Sequence, residues 1–498
     1  MRKNLFGQVY ENISISYLGY FLITIISFIT SVYIIRKLCV EDYGHYQILM
    51  GTIPFIMMLC SFGTTSVIQR FIPEFFEIRN YFGIKIISIT CILLKILAVG
   101  FVLLILANNL DKVLHFLNVP EIKNYAHIFF VAVLIFVEIS TIQIILTSLF
   151  LVKYNVVIDT LGAILRFWLY FHAIKTGQGL KGIIFYFLII NIFLCISYSV
   201  VYYLSVFRLK SRQELEPIKK KRIIKFGALS YFNEVSYSLY DSSVDYYIIS
   251  YFMGPTYVGY YSFAFVTLQK IVNWLPSKMV ANLITPTITR RYYEKNDVTE
   301  LNIMFKLYNK TIVFFVMPAM IGLIVLGDKI IIFIFDPKYL ESLKIVYLFA
   351  IFEIINSVYI GAGVIVKVLE KVKILLFSRI TAIYNFIGAI AFIKYFGLLG
   401  VAFATGSAIF FNRMIIYFYI KKHVYISSPY NSHIKILINS LFMGLIVYIS
   451  RNHVTSIVSL LTIVIIGAII YAITSYLNLC FNDGERKIIN KILGRELL

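Results

Sequence analysis

Three acids and a serine, Glu234, Ser238, Asp241 and Asp245, recur at i, i+4, i+7 and i+11 inside an apolar run, so a helix presents them on one face. In the next apolar run Lys270, Trp274 and Lys278 recur at i, i+4 and i+8 and likewise share a face. A charge at the centre of a membrane helix costs roughly 2.5–3.5 kcal/mol on insertion scales, so several together must face protein or water. Rise per residue along two antiparallel helices sets Asp241 level with Lys270 and Glu234 level with Lys278. Such groups either tie helices together, or form pairs that break and re-form as a passage opens to each side, leaving a charge for cargo to meet.

Other charges lie at similar depth. Lys95 and Glu138 are level in the third and fourth runs and form a further expected pair. Arg166, midway along the fifth run, has no acid left for it in the N-terminal half, and an unpaired guanidinium suits a phosphate, which it grips with a fork of donors. Arg70 closes the second run, where it either snorkels or binds cargo. Arg379 and Arg413 lie nearer one face and read as anchors. Glu353 stands midway along the tenth run with no basic residue level with it on either side, so it should hold a proton or a cation.

No enzyme chemistry is apparent. Gly177-Gln178-Gly179-Leu180-Lys181-Gly182 fits G-x-G-x-x-G, but it joins two apolar runs with no strand before it and reads as a loop. No phosphate-loop lysine, zinc-type histidine pair or Ser/His/Asp order occurs, and the seven histidines are dispersed. Five cysteines (Cys39, Cys60, Cys91, Cys195, Cys480) lack metal or redox spacing and read as buried thiols. No cofactor is expected.

The elements that must position these residues are membrane helices. Of 498 residues 60% are hydrophobic and 14% charged, with a mean hydropathy of +0.84. About fourteen runs are long enough to span a bilayer: 13–35, 47–69, 83–107, 125–150, 155–174, 181–206, 224–250, 257–285, 306–327, 342–366, 373–396, 399–420, 434–451 and 455–479. The first run lacks a small-residue cleavage site and reads as a span, not a leader. The net charge of +21 is scattered in short loops, which argues for topology signals and against nucleic acid. Placing both termini in the cytoplasm gives an about threefold excess of Lys and Arg on that side. The strongest contribution is the linker carrying Lys219, Lys220, Lys221 and Arg222, near the middle of the chain.

Local similarity suggests duplication. Tyr33-Ile34-Ile35 with Tyr43, Gly44 and Tyr46 recurs as Tyr247-Ile248-Ile249 with Tyr257, Gly259 and Tyr260, about 215 residues later. Gly179-Leu180-Lys181-Gly182 recurs as Gly397-Leu398-Leu399-Gly400 at a similar offset. The expected fold is an all-α integral membrane protein: a six-helix lobe over 1–207, a basic linker over 208–223, a second lobe over 224–422 related to the first by a pseudo-twofold axis, and helices 13 and 14 with a tail over 423–498.

Arg36-Lys37-Leu38 with Glu41-Asp42-Tyr43-Gly44, and Ser61-Phe62-Gly63 leading to Arg70-Phe71-Ile72-Pro73-Glu74, resemble the opening of bacterial polysaccharide transporters. These are the O-antigen and capsule repeat-unit flippases of the superfamily that also holds multidrug and toxin extruders and lipid II flippases. Asp245-Tyr246-Tyr247-Ile248-Ile249, Gly259-Tyr260-Tyr261-Ser262, Gly327-Asp328 and Lys338-Tyr339 resemble that family's second half. The resemblance implies two lobes around a central cavity and alternating access by rocking. It also implies a substrate class: an undecaprenyl-diphosphate-linked oligosaccharide, moved from the cytoplasmic to the outer leaflet of the bacterial cytoplasmic membrane. Lys95, Arg166, Lys270, Lys278 and Arg70 would then meet the diphosphate. Likeness to cation-coupled extruders makes Glu353, with Glu234 or Asp241 and an oxygen from Asn385, a proton or sodium coupling site. Expected partners are the lipid-linked glycan, membrane lipids and polysaccharide polymerase machinery. The rivals are a multidrug/cation antiporter, which predicts a cavity of acids and aromatics, and a membrane polymerase, which needs a longer charged outer loop than any here.

Overall fold

The computed structural model describes residues 5–208, 220–238, 242–275, 298–369, 371–424, 426–481 and 484–485. Every regular element among the described residues is helical. In chain order the helices are α1 (Leu5–Lys37), α2 (Val40–Leu59), α3 (Thr64–Glu77), α4 (Tyr81–Asn108), α5 (Leu110–Phe116), α6 (Lys123–Ser148), α7 (Val152–Lys175), α8 (Gly179–Tyr202), α9 (Lys220–Ser238), α10 (Ser242–Met253) and α11 (Pro255–Trp274). There follow α12 (Val298–Ile334), α13 (Leu343–Ser357), α14 (Ala362–Val368), α15 (Val372–Ser378), α16 (Ile380–Val424), α17 (Tyr430–Ser450) and α18 (Ile457–Leu477).

Large apolar side chains stand outward along these helices. On α4, Leu97, Phe101 and Leu104 are each at least 65% exposed, which in water would be untenable and in hydrocarbon is expected. The protein is an all-α multi-pass membrane protein. Among the described residues nine helices are long and apolar enough to cross, or ten if the bent pair α2–α3 is one span. The fourteen expected runs are more numerous because some are broken or joined in the structure and the seventh and eighth extend outside the described residues. α16 continues for 45 residues through Gly397, whose φ of 56° breaks it between the eleventh and twelfth runs. α13 and α14 split the tenth.

The chain divides into two compact units, Met1–Gly259 and Tyr260–Leu498. In the first, α6 packs on α7 and α8, α1 on α7, and α3 on α4, α6 and α9. Ile68, Phe71, Ile72, Ile84, Ile87 and Ile145 form a core there. α9 and α10, which follow the basic linker, group with this unit and lie against α2 and α3. The Ser61-Phe62-Gly63 phrase is the 61° bend between α2 and α3. Gly63 there has φ 68°, and a Cβ would overlap the carbonyl of Gly227 on α9, so only glycine suits both the turn and the contact.

In the second unit α12 packs on α13 and α17, and α17 on α18, around Val313, Met317, Ile436, Met443 and Leu460. The break after α13 frees backbone groups that hydrocarbon cannot satisfy. Asn309 of α12 supplies both partners: its Nδ2 donates to the Val358 carbonyl at 3.2 Å and its Oδ1 accepts from the Gly361 N–H at 2.9 Å. At the α15–α16 break Asn412 supplies a donor, its Nδ2 donating to the Ser378 carbonyl at 2.9 Å and to the Ser378 hydroxyl at 3.0 Å.

Candidate functional site

The first turn of α3, just past the Gly63 break, carries Thr64, Thr65 and Ser66. Glu234 of α9 reaches it, accepting from Ser66 Oγ at 2.7 Å and from the Ser66 N–H at 3.3 Å. Lys95 of α4, 4% exposed, donates to Thr65 Oγ1 at 3.5 Å and lies within electrostatic range of Glu234. A helix N-terminus with unspent N–H groups attracts an anion, so a carboxylate settles there beside a buried ammonium.

This geometry corrects the expected pairing of Lys95 with Glu138. Glu138 interacts instead with Cys195 of α8, and among the described residues no ion pair joins it to Lys95. Equal depth on two helices sets height but not facing direction, and α4 turns Lys95 toward α3. Asp241 and Lys278 lie outside the described residues, and with them the two expected pairs of the α9–α11 stretch. Asp245 is buried on α10.

Arg166 is half-buried on α7, and its Nε has no hydrogen-bond partner among the described residues. It is not without an acid: Asp159, two turns earlier on the same face, lies within its electrostatic range, as do Tyr46 and Tyr170. The expectation of an arginine with no acid in its own half is corrected accordingly. Sequence reasoning missed Asp159 altogether, although a carboxylate seven residues from the arginine it singled out was the available signal. Asp159 Oδ1 accepts from Tyr198 Oη at 2.7 Å and Gln143 Nε2 at 2.9 Å, and Gln143 Nε2 also donates to Tyr198 Oη at 3.0 Å. Asn155 Nδ2 extends the network to the Gln143 carbonyl at 3.0 Å and to Thr147 Oγ1 at 2.9 Å. A carboxylate, an amide and a phenol from α6, α7 and α8 thus satisfy one another inside the first unit, with the guanidinium nearby.

Arg70 is exposed midway along α3 and pairs with Glu74 one turn on, at 3.5 Å, the geometry of a snorkelling surface charge. Glu74 also receives two bonds from Arg222, at 2.7 and 3.1 Å, which hold the Arg222 guanidinium above its ordinary pKa.

In the second unit Lys270 is half-buried on α11, and no hydrogen bond or ion pair reaches it among the described residues. Asn385, 3% exposed on α16, has an Oδ1 with no hydrogen-bond donor among the described residues. Glu353, half-buried on α13, has an interaction partner and so is not the isolated carboxylate expected from comparing neighbouring spans. Arg379 and Arg413 are half-buried. Among the described residues no group of three acids, histidines or cysteines is arranged to hold a metal ion.

The fold is similar to a lipid II flippase, MurJ, in an inward closed conformation (TM-score 0.68, 17% identity, covering 96% of this chain and 99% of that one). It is also similar to an inward-facing multidrug resistance MATE family transporter of the MOP superfamily (TM-score 0.67, 14% identity, 81% and 94% covered). A further similar structure is a MOP superfamily transporter from Pyrococcus furiosus whose binding pocket is described as of reverse polarity (TM-score 0.55, 13% identity, 84% and 95% covered). In sequence, the chain is 24% identical over 255 residues to the probable low-salt glycan biosynthesis flippase Agl15 of Haloferax volcanii. That match takes in 49% of this chain and 53% of the relative, so the chain spans about half the length of the curated relative it matches. The sequence model described as polysaccharide biosynthesis protein matches residues 34–344, well over half of the 498, and the chain belongs to the polysaccharide biosynthesis protein family.

Proposed function

We propose that this protein is a flippase for a lipid-linked oligosaccharide, most simply an undecaprenyl-diphosphate-linked repeat unit of O-antigen or capsule type, working by alternating access in the bacterial cytoplasmic membrane with both termini in the cytoplasm. The observation that carries the reading is the anion cradle of the first unit: the Ser66 hydroxyl and N–H hold a carboxylate supplied by Glu234, and Lys95, which donates to Thr65 Oγ1, lies within electrostatic range of it. A carboxylate held by one hydroxyl and one N–H beside an ammonium is a stand-in that a phosphate can replace, with Glu234 released as the substrate arrives. Arg166, Lys270, Lys278 and Arg70 are the further cations proposed to meet the diphosphate. The family match and the glycan flippase relative support the substrate class.

A potential negative inside favours outward movement of anions by roughly 2.3 kcal/mol per charge per 100 mV, so two diphosphate charges gain nearly 5. Proton or sodium entry through Glu353, Glu234, Asp241 and Asn385 is the proposed supplement, and the undonated Asn385 Oδ1 is what supports an oxygen ligand there. A polymerase partner on the outer side would take the product.

The test is transport of labelled lipid-linked glycan in vesicles containing Arg166→Ala or Lys95→Ala. Flipping at the parental rate in both would remove these cations from the proposed grip. Export of cationic dyes with no glycan movement would instead support the antiporter reading that the MATE-like fold also admits.

A further inference from the structure

The first unit contains a cavity of about 590 Å³ that the flipping reading does not use. It is walled by α2, α4, α5, α6 and α10, with Ile56, Leu106, Leu114, Phe129 and Phe130 among its lining, inside the roughly 300–1,000 Å³ range of ligand pockets. Two polar groups on the wall have their protons engaged: Tyr247 Oη donates to Thr52 Oγ1 at 3.2 Å, and Thr52 Oγ1 donates to the Ile48 carbonyl at 2.8 Å. An apolar cavity of this size without polar partners stays dry, and in a membrane protein hydrocarbon is what fills it.

One charged side chain, Lys112 of α5, belongs to the described lining. Its neighbour Asp111 is spent on Lys123 at 2.6 Å, and among the described residues no ion pair engages Lys112 itself. The rim is built in advance. Asn118 Nδ2 donates to the Ser250 and Tyr251 carbonyls at 3.3 and 2.8 Å, Ser250 Oγ donates to the Leu117 carbonyl, and Phe116 and Tyr251 lie with ring centroids 4.6 Å apart. Thus the end of α5 is tied to α10. The 28 residues of α4 set this end about 42 Å from the Arg222 end.

We infer that this cavity is a binding site for one acyl chain of an anionic phospholipid, with the lipid's phosphodiester on Lys112. One uncompensated cation at the mouth of an apolar pocket matches one negative charge, which favours a phosphodiester over a diphosphate.

The test uses the full-length protein in nanodiscs doped with either phosphatidylglycerol or phosphatidylcholine carrying a photoreactive diazirine on one acyl chain, with labelled peptides mapped afterwards. Phosphatidylglycerol should label residues on α2, α4 and α6 more strongly than phosphatidylcholine. Lys112→Glu should reduce labelling by phosphatidylglycerol about fivefold, leave phosphatidylcholine unchanged, and disturb no buried contact. Val102→Phe, which fills the cavity, should abolish labelling by both. Equal labelling by the two lipids, indifference to Lys112→Glu, no labelling of these helices, or displacement of phosphatidylglycerol by a polyprenyl diphosphate would each overturn the inference. None of these readouts requires glycan flipping, so failure of the flippase reading leaves them intact.

Discussion

Gly44 and Gly259, which occupy matching places in the two sequence repeats, meet back to back: a Cβ on Gly44 would stand 3.1 Å from the Gly259 nitrogen. The same Cβ would overlap the Pro255 carbonyl, and one on Gly259 would overlap the carbonyl of Val40. Backbone thus meets backbone where α2 and the start of α11 cross. Gly44→Val should disfavour this arrangement by about 1–3 kcal/mol, the usual cost of overpacking. The same α2 face continues to Gly51, where an added Cβ would lie 3.5 Å from that of Ser243, within disulfide range. In a background without the native cysteines, Gly51→Cys with Ser243→Cys should cross-link readily, and adding Gly44→Val should lower the yield. An unchanged yield would show that the close approach is dispensable.

Asn309→Ala should destabilise the second unit by roughly 1–3 kcal/mol, because it strands the Gly361 N–H and the Val358 carbonyl in a buried break. Asn309→Asp keeps the acceptor for the Gly361 N–H but loses the donor and sets a buried charge against the Val358 carbonyl, and should cost at least as much as Asn309→Ala. Thermal unfolding in detergent, followed by tryptophan fluorescence, ranks the three proteins.

Lys310 is 1% exposed, and its Nζ meets Glu485 Oε2 at 2.6 Å with the Phe481 ring 4.9 Å away. Removing one partner leaves a buried charge, so Lys310→Met is compatible with hydrocarbon whereas Glu485→Gln is not. We expect Glu485→Gln to cost roughly 3–5 kcal/mol. The double variant should recover most of that loss. Melting temperatures of the two single variants and the double variant close the cycle.

Lys95 and Glu234 should show coupled behaviour. Glu234→Ala exposes a buried ammonium and should lower stability by roughly 1–3 kcal/mol, whereas Glu234→Ala with Lys95→Met should restore stability but not glycan transport. Recovery of both would reduce the cradle to a structural pair.

Asp159→Asn replaces an acceptor shared by two donors with a group that brings donors of its own. A loss of roughly 1.5–3 kcal/mol is expected, since hydrogen bonds to charged groups sit in that range. Retention of full stability would mean that the Asp159 charge adds nothing to the network.

Much of this molecule was legible from its residues. Runs of about 20 apolar residues can only be membrane helices, because hydrocarbon leaves the backbone no other partner, whereas the 47–69 run gave no sign of the bend at Gly63. Periodicity also placed Glu234, Lys95 and Arg166 at depths where charge demands a partner. Which partner each found was decided in three dimensions. Depth is a one-dimensional coordinate, whereas a side chain's direction depends on how its helix is rotated, bent and packed. Hence Lys95 turned to Thr65 and not Glu138, Arg166 kept Asp159 in range, and the broken helices were closed by Asn309 and Asn412 from neighbours far away in sequence.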